Sequence, residues 1–237
     1  MSRRRTASSG LLYAGVPAAL WYGVLVGVGV LIGGPLFATV AGAEDGMVPA
    51  LADARTPVWD GISHAVSTTA DTLVIVGTAA ALGLLLRWVL GRWLESVVLW
   101  AGVALQSTIF LLTTLVVSRP RPDVDKLDPA PPTSSFPSGH TGASTALYVG
   151  LALVIAGRIR RRRLRLLVVA ALALVPLAVG LARLYRGMHH PSDVVFGALN
   201  GVAALVIVRF ATFHGLESGA PATAVCPHRQ HPQGRHG

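Results

Sequence analysis

The sequence contains six apolar runs, and their length constrains the fold more than any other feature. A helix needs about 20 consecutive apolar residues to cross the hydrocarbon core of a bilayer. The six runs cover residues 11–40, 72–90, 94–117, 142–156, 164–182 and 194–213. They predict an all-α, polytopic membrane protein with six transmembrane helices. The charged fraction agrees, because it is only 13% of the 237 residues, whereas soluble domains carry about 25%.

The first and fourth runs differ in length from a single span. Run 11–40 is too long for one straight helix, and its Gly33-Gly34-Pro35 sequence predicts a kink or a stop. It also exceeds the apolar core of a signal peptide, about 7–15 residues, so we interpret it as a retained span. Run 142–156 is short, and we expect its helix to include residues of the preceding turn.

The basic residues are unequally distributed between the two sides of the predicted membrane. Six spans place both termini on one side, together with 14 of the 20 Lys and Arg residues. The opposite side carries the other six and nine of the 11 acidic residues. Because an excess of Lys and Arg in short loops marks the cytoplasmic side, we predict cytoplasmic termini in a cell membrane. The net charge of +9 then reports orientation, and nucleic acid is not expected as a partner.

The composition divides the chain into three predicted parts. Residues 1–10 form a basic cytoplasmic N-terminus, residues 11–213 form the membrane domain, and residues 214–237 form a disordered cytoplasmic tail. The external segment 44–71 contains a short amphipathic stretch around residues 58–66. The role of this segment and the oligomeric state stay open at this stage.

Two external loops carry side chains suited to binding a phosphate. Loop 118–141 contains Arg119, Arg121, Lys126, Ser138, Gly139 and His140, and loop 183–193 contains Arg183, Arg186, His189 and Asp193. Both loops lead into predicted helix N-termini at one membrane face, where free backbone N–H groups attract anions. Arginine can also donate two parallel hydrogen bonds to phosphate oxygens. The loops are therefore the candidate site, and its predicted face is extracytoplasmic.

Two histidines beside one anion predict a division of roles. A neutral imidazole can attack phosphorus and form a phosphohistidine, whereas a protonated imidazole can donate its proton to the leaving oxygen. Asp193 lies four residues after His189, close enough to hold one tautomer of that ring, which favours His189 over His190 as the reactive residue. His64 stands alone and is interpreted as structural. No carboxylate-rich cage accompanies the loops, so we predict no metal and no other cofactor.

At these residues the sequence resembles the type 2 phosphatidic acid phosphatase (PAP2) superfamily of membrane phosphatases. Its signature consists of Lys-x6-Arg-Pro, Pro-Ser-Gly-His and Ser-Arg-x5-His-x3-Asp. The matching positions are Arg121 and Pro122 in the first block, residues 137–140 in the second, and Arg183, His189 and Asp193 in the third. Two positions depart from the signature, because Thr114 replaces the Lys and Ala182 replaces the Ser.

The resemblance implies a role for each matching residue. His189 would be the nucleophile, Asp193 its orienting partner and His140 the general acid. The residues implied in phosphate binding are Arg121, Ser138, Gly139 and Arg183. The missing Lys leaves room for auxiliary cations, for which the candidates are Arg119, Lys126 and Arg186.

The resemblance and the outward site together imply a lipid phosphatase that meets its substrate at the level of the lipid headgroups. A polyprenyl diphosphate such as undecaprenyl or decaprenyl pyrophosphate is the favoured substrate. Phosphatidylglycerol phosphate, phosphatidic acid and polyprenyl-phosphosugar phosphates are alternatives, and so is transfer of the phosphoryl group to an acceptor lipid or sugar. A transporter or scaffold with a decayed site is the non-enzymatic alternative, which only Thr114 supports.

Overall fold

The computed structural model describes residues 2–44 and 46–217, and nine helices account for most of them. In chain order they are α1 (Ser2–Gly33), α2 (Phe37–Glu44), α3 (Met47–Asp53), α4 (Pro57–Thr68), α5 (Thr72–Leu90), α6 (Leu94–Val116), α7 (Gly139–Ala156), α8 (Arg162–Tyr185) and α9 (Pro191–Glu217). Six of them, α1 and α5 to α9, contain stretches long and apolar enough to cross a membrane. The predicted all-α architecture with six spans is confirmed for the described residues.

The boundaries of the first and fourth spans follow the local sequence. α1 ends at Gly33, and a turn separates it from α2, so the predicted stop is confirmed. α7 begins at Gly139 rather than at residue 142, because the Ser138 side chain accepts a hydrogen bond from the N–H of Thr141 and caps the helix. The fourth span therefore includes the end of the preceding turn, as its short apolar run predicts.

At both ends of the chain, helices continue past the predicted domain limits. The backbone of α1 is helical from Ser2, and α9 continues to Glu217. Residues 218–237, which make up most of the predicted disordered tail, lie outside the described residues. The division of the chain at residues 10 and 213 stays a prediction.

The segment 44–71 folds back onto the bundle as two short helices. The predicted amphipathic stretch is α4, and the Thr56 side chain caps its N-terminus. Arg55 donates a hydrogen bond to the carbonyl oxygen of Tyr185 at 3.0 Å, and the Tyr185 hydroxyl donates to a carboxylate oxygen of Asp60 at 2.9 Å. α3 and α4 consequently pack against the C-terminal end of α8.

Close contacts among α6, α7 and α9 form the centre of the bundle. A Cβ atom at Gly197 would lie 2.4 Å from the carbonyl oxygen of Ser138, so α9 can approach the start of α7 only because this residue is glycine. Farther along α7, Leu147 packs against Leu99 of α6, and both are fully buried. The N-termini of α7 and α9 therefore lie side by side.

The bundle has two ends that differ in the residues they carry. We call the end that holds the N-termini of α7 and α9 and the C-terminus of α8 the site end. We call the opposite end, with the C-termini of α5, α7 and α9 and the arginine run 158–165, the arginine-rich end. Between the two ends, large apolar side chains such as Leu84, Leu174 and Val202 are exposed, as expected for a surface that contacts lipid.

Candidate active site

A cavity of about 600 Å³ lies at the site end. The sequence-predicted residues on its wall are Arg121, Gly139, His140, Arg183 and His189. The cavity thus brings together residues from both of the candidate loops. Its wall also contains His64, Ser67, Asp71 and Asp128, which the sequence analysis did not assign to the site.

Hydrogen bonds to backbone carbonyl groups hold the two loops against each other. The N–H of Leu127 donates to the carbonyl oxygen of Arg186 at 3.2 Å, and Arg121 Nη1 donates to the carbonyl oxygen of Met188 at 2.7 Å. Gly187 between them has φ +73°, and a Cβ there would lie 2.7 Å from Val124. Glycine at this position allows both the turn and the close approach.

The His189 imidazole is held by the carbonyl oxygen of Ser135, which lies 2.8 Å from Nδ1. Asp193 Oδ2 lies farther from the same nitrogen, at 3.8 Å. A carbonyl oxygen can only accept, so Nδ1 carries the hydrogen and Nε2 of the neutral ring keeps its lone pair. Burial lowers the pKa of His189 below its usual value, the charges of Arg183 and Arg121 act in the same direction, and Asp193 opposes them. The neutral, nucleophilic form is therefore favoured.

His190, the alternative nucleophile, has a different environment. It is buried and lies outside the cavity wall, and its backbone N–H donates to Asp193 Oδ2 at 2.8 Å. Its Nε2 atom has no hydrogen-bond partner among the described residues. This placement supports His189, and not His190, as the residue facing a substrate.

Asp193 is fully buried and organises the loop around the two histidines. Arg119 Nη1 donates to its Oδ1 at 2.5 Å, and the Ser135 hydroxyl donates to its Oδ2. Arg119 also contacts Glu44 of α2 at 2.9 Å, and Glu44 accepts the N–H of Ser192 at 2.7 Å. The carboxylate therefore fixes the position of the segment that carries His189 and also stands near its ring.

The second predicted catalytic histidine, His140, pairs with a carboxylate from another part of the chain. Its Nε2 lies 3.0 Å from Asp71 Oδ1, and Asp71 immediately precedes α5. His140 is the second residue of α7, so it stands at that helix's N-terminus on the cavity wall. The arrangement places a histidine with a carboxylate partner in the same cavity as His189.

Arg183 and Arg186 share Asp128 as their carboxylate partner. Arg183 Nη1 lies 2.8 Å from Asp128 Oδ2, and Arg186 contacts both carboxylate oxygens at 2.7 and 2.6 Å. Burial alone raises the pKa of Asp128, but the hydrogen bond from Arg186 and the charges of both arginines outweigh it and hold that pKa below its usual value. Asp128 thus stays ionised and keeps both arginines in place.

Two arginines on the cavity wall keep donors that no described residue accepts. The Nε atoms of Arg121 and Arg183 are buried and lack a hydrogen-bond partner among the described residues. Burial lowers the pKa of Arg121, and Asp193 partly opposes this effect. Buried donors without acceptors are costly, so both groups are suited to receive an anion.

The N-terminus of α7 completes the cavity. Gly139 lines it, and a Cβ there would lie 2.8 Å from the ring of Phe110, which also lines it. Ser138 is fully buried and caps the helix instead of lining the cavity. The side chain of Ser138 therefore acts on the helix terminus, whose free N–H groups are the part available to an anion.

The three auxiliary cations lie outside the cavity wall. Arg119 and Arg186 are buried in the ion pairs with Asp193 and Asp128, because a buried guanidinium requires a carboxylate nearby. Lys126 is exposed, and its amine donates to the carbonyl oxygen of Val124 at 3.4 Å. The structure therefore gives Arg119 and Arg186 positioning contacts and places none of the three beside the cavity.

The residues that sequence reasoning missed come mainly from the segment 44–71. Glu44, His64 and Asp71 have no motif around them, and each reaches the site through tertiary packing. The one sequence feature that could have indicated these residues is the excess of acidic residues in the predicted external loops, because buried arginines need carboxylate partners. Among the described residues, no three His, Cys, Asp or Glu side chains are grouped as they would be around a metal ion.

Together, the fold and the site define the class of protein. It is a six-span membrane protein in which the catalytic-type histidines His140 and His189 and the arginines Arg121 and Arg183 line one cavity. Comparison with family models gives a match to the PAP2 superfamily over residues 95–214. This range includes all three motif blocks, and Thr114 and Ala182 are the two positions within it that depart from the signature. The chain belongs to the PAP2 superfamily, and it is an integral membrane lipid phosphatase of that family.

Solved structures support the same fold. The transmembrane PAP2-type phosphatidylglycerolphosphate phosphatase from Bacillus subtilis aligns with a TM-score of 0.71 and 18% sequence identity, over 89% of this chain and 99% of that one. LpxE from Aquifex aeolicus aligns with a TM-score of 0.55 and 23% identity, over 68% of this chain and 92% of that one. A search of curated protein sequences found no match.

Proposed function

We propose that the protein hydrolyses the terminal phosphate of a lipid phosphate or diphosphate through a phosphohistidine on His189. The observation that carries this proposal is the contact between His189 Nδ1 and the Ser135 carbonyl oxygen at 2.8 Å. That contact assigns the hydrogen to Nδ1 and leaves the Nε2 lone pair for attack on phosphorus. The lowered pKa of His189 keeps this form populated at neutral pH.

In the first step, His189 Nε2 attacks phosphorus and the bond between phosphorus and the leaving oxygen breaks. Protonated His140 donates its proton to that oxygen. In the second step, water attacks the phosphohistidine, His140 accepts a proton from the water, and inorganic phosphate leaves with His189 neutral again. His140 Nε2 lies 3.0 Å from Asp71 Oδ1, so this carboxylate can hold the ring in place for both proton transfers.

Phosphate binding is assigned to Arg121, Arg183 and the N-terminus of α7 at Gly139. The unpartnered Nε atoms of the two arginines supply donors without breaking the contacts that hold their Nη atoms. Such preorganised donors stabilise the charge on the transferring phosphoryl group. The Ser138 side chain contributes by capping α7.

A lipid substrate is supported by the apolar part of the cavity wall. Ile75 and Val76 of α5 and Phe110 and Leu111 of α6 line it, and Val76 and Leu111 are also exposed on the outer surface of the bundle. The cavity therefore borders the lipid-facing surface, so an amphiphile can present its phosphate while its tail stays in the bilayer. From family membership and the predicted extracytoplasmic site, we favour a polyprenyl diphosphate. Phosphatidylglycerol phosphate, the substrate in the name of the Bacillus subtilis relative, is the second candidate.

The test measures phosphate release by the wild-type protein and by His189→Ala in detergent. The substrates are undecaprenyl diphosphate, phosphatidylglycerol phosphate, phosphatidic acid and a polyprenyl-phosphosugar phosphate. We expect phosphate release without any acceptor, and a loss of at least about 10⁴-fold in His189→Ala. Wild-type protein quenched during turnover should carry labelled phosphate that is stable to alkali and labile to acid. Unchanged turnover in the variant would contradict the mechanism, and release only with an acceptor would indicate a phosphotransferase. A folded wild type inactive on every substrate would favour a transporter or scaffold.

The orientation needs its own measurement. Asp123→Cys, at an exposed position in the first loop, should react with a membrane-impermeant maleimide added to intact cells, whereas Cys226 should not. The reverse labelling pattern would place the site on the cytoplasmic side.

A further inference from the structure

A second cavity, of about 710 Å³, lies at the arginine-rich end of the bundle, between α6, α7 and α9. None of the residues that line it also lines the catalytic cavity. Three arginines surround it, namely Arg92 before α6, Arg158 after α7 and Arg209 in α9. We call this cavity the lower cleft.

Charge in the lower cleft is unbalanced. Glu95 is its one lining carboxylate, so three guanidiniums face a single negative charge. Arg92 and Arg158 both contact Glu95 Oε1, the latter at 2.6 Å, whereas Arg209 has no such partner among the described residues. The excess of positive charge favours an anion, and basic pockets between transmembrane helices bind anionic lipid headgroups.

The Glu95 carboxylate is a second, independent feature that points to a ligand in the lower cleft. The residue is only 7% exposed, and its Oε2 atom is buried without a hydrogen-bond partner among the described residues. A buried carboxylate oxygen without a donor is costly, so a ligand that brings an O–H group into the cleft would satisfy it. The cleft therefore combines donors for an anion with one acceptor for a hydroxyl group.

Apart from Thr212 and His214, the remaining wall of the lower cleft is apolar, and it reaches the outer surface. Leu153, Val206, Phe210 and Phe213 line it, and all four are exposed large hydrophobic side chains. Such a wall can accommodate an acyl chain next to the charged mouth. A water-soluble anion would leave it unused.

We propose that the lower cleft binds a membrane phospholipid whose headgroup carries one phosphodiester and free hydroxyl groups, as in phosphatidylglycerol. The phosphodiester contacts Arg158 and Arg209, a headgroup hydroxyl donates to Glu95 Oε2, and an acyl chain lies along Phe210 and Phe213. An ammonium headgroup fits less well, because its positive charge would face three guanidiniums.

The arginines of the neighbouring run offer matched controls, because they carry the same charge at the same end of the bundle. Arg163 is exposed, lies on α8 and does not line the lower cleft. A general attraction of anionic lipid to basic loops predicts equal effects for Arg163→Gln and Arg209→Gln. A specific lipid site in the lower cleft predicts weaker lipid binding only for Arg209→Gln.

The experiment is native mass spectrometry of the detergent-purified full chain with added lipid, with the thermal unfolding midpoint as a second readout. The probes are phosphatidylglycerol, phosphatidylmethanol, phosphatidylethanolamine, phosphatidylcholine and soluble glycerol 3-phosphate. We expect phosphatidylglycerol to be retained best, phosphatidylmethanol less well because it has the charge without the hydroxyl groups, and glycerol 3-phosphate not at all. Arg209→Gln should weaken phosphatidylglycerol binding about fivefold, Arg163→Gln should not change it, and Glu95→Gln should abolish the preference over phosphatidylmethanol.

The proposal would be overturned by equal retention of phosphatidylcholine, by equal effects of the two arginine variants, or by protection by glycerol 3-phosphate alone. Arg121→Gln, which alters only the catalytic cavity, should leave lipid retention unchanged. A loss of retention in this variant would instead place the bound lipid in the catalytic cavity, which also contradicts the proposal.

Discussion

The two ends of the bundle both contain several arginines, but they hold them in different ways. At the site end, Arg119, Arg183 and Arg186 are at most 5% exposed, and each contacts a carboxylate. At the arginine-rich end, the run 160–165 is largely exposed to the surroundings of the bundle. Arginine content alone therefore does not distinguish a site from a loop that sets orientation.

The difference follows from the cost of burying a charge. A guanidinium can leave water only if a carboxylate and further hydrogen bonds replace its hydration, which fixes its geometry. An exposed arginine keeps its hydration and needs no such partner. Burial with a partner thus creates rigid donors at the site end, whereas exposure leaves charges suited to the membrane surface. The following substitutions test this comparison, beginning with the largest expected effect.

Replacing the buried Arg183 with Gln should lower kcat/KM about 10²- to 10³-fold, because a preorganised donor to the phosphoryl group is lost. Arg163→Gln, the exposed counterpart at the other end, should leave kcat/KM within about twofold. Lipid phosphate hydrolysis in mixed micelles measures both values. Equal losses of kcat/KM in the two variants would contradict the distinction between buried, paired arginines and exposed ones.

Arg119→Leu should destabilise the fold, because Asp193 would keep a buried charge without its cation. Breaking one side of a buried ion pair costs about 3 to 5 kcal/mol. The thermal unfolding midpoint in detergent measures the effect, with Arg163→Leu as the control that should change it little. An unchanged midpoint in Arg119→Leu would show that this ion pair does not hold the loop.

Asp71→Asn should lower kcat about tenfold to a hundredfold on an alkyl phosphate, because Asp71 positions the proton donor His140. The defect should shrink on p-nitrophenyl phosphate, whose leaving group needs little protonation. Asp53→Asn, an exposed carboxylate of α3, is the matched control and should retain full activity. Equal losses on both substrates would indicate a structural role for Asp71.

The smallest effect is expected at Thr114, where the family signature has Lys. Thr114 lies in the last turn of α6, and its hydroxyl donates to the carbonyl oxygen of Leu111 at 2.8 Å. Thr114→Lys should preserve kcat/KM or raise it, by about tenfold at most, because a charged donor reaches towards the cavity. A folded but inactive variant would contradict the expectation that the site tolerates Lys at this position.

Local patterns predicted the helices and the two loops correctly because their causes are local. Apolar length determines a span, the Gly-Gly-Pro sequence ends α1, and Ser138 caps α7. The placement of Arg121, Gly139, His140, Arg183 and His189 around one cavity also follows from two motif loops at one end of a bundle.

The ion pairs of the site could not be predicted in this way, because their partners are far apart in the chain. Glu44 and Arg119 are separated by 75 positions, Asp71 and His140 by 69, and Asp128 and Arg183 by 55. No spacing rule connects such residues. The sequence could therefore nominate Arg119 and Arg186 as auxiliary phosphate-binding cations, although neither lines the cavity.

By itself, the sequence predicted six membrane-spanning helices and nominated two loops, which lie at one end of the bundle, as the candidate phosphate site. Both conclusions depend on composition and spacing within single segments. Only the tertiary structure decided which arginines keep free donors, which carboxylates support each histidine, and that the segment 44–71 forms part of the cavity wall. The physical reason is that burial makes every charge depend on its neighbours in space, and the packing of whole helices chooses those neighbours.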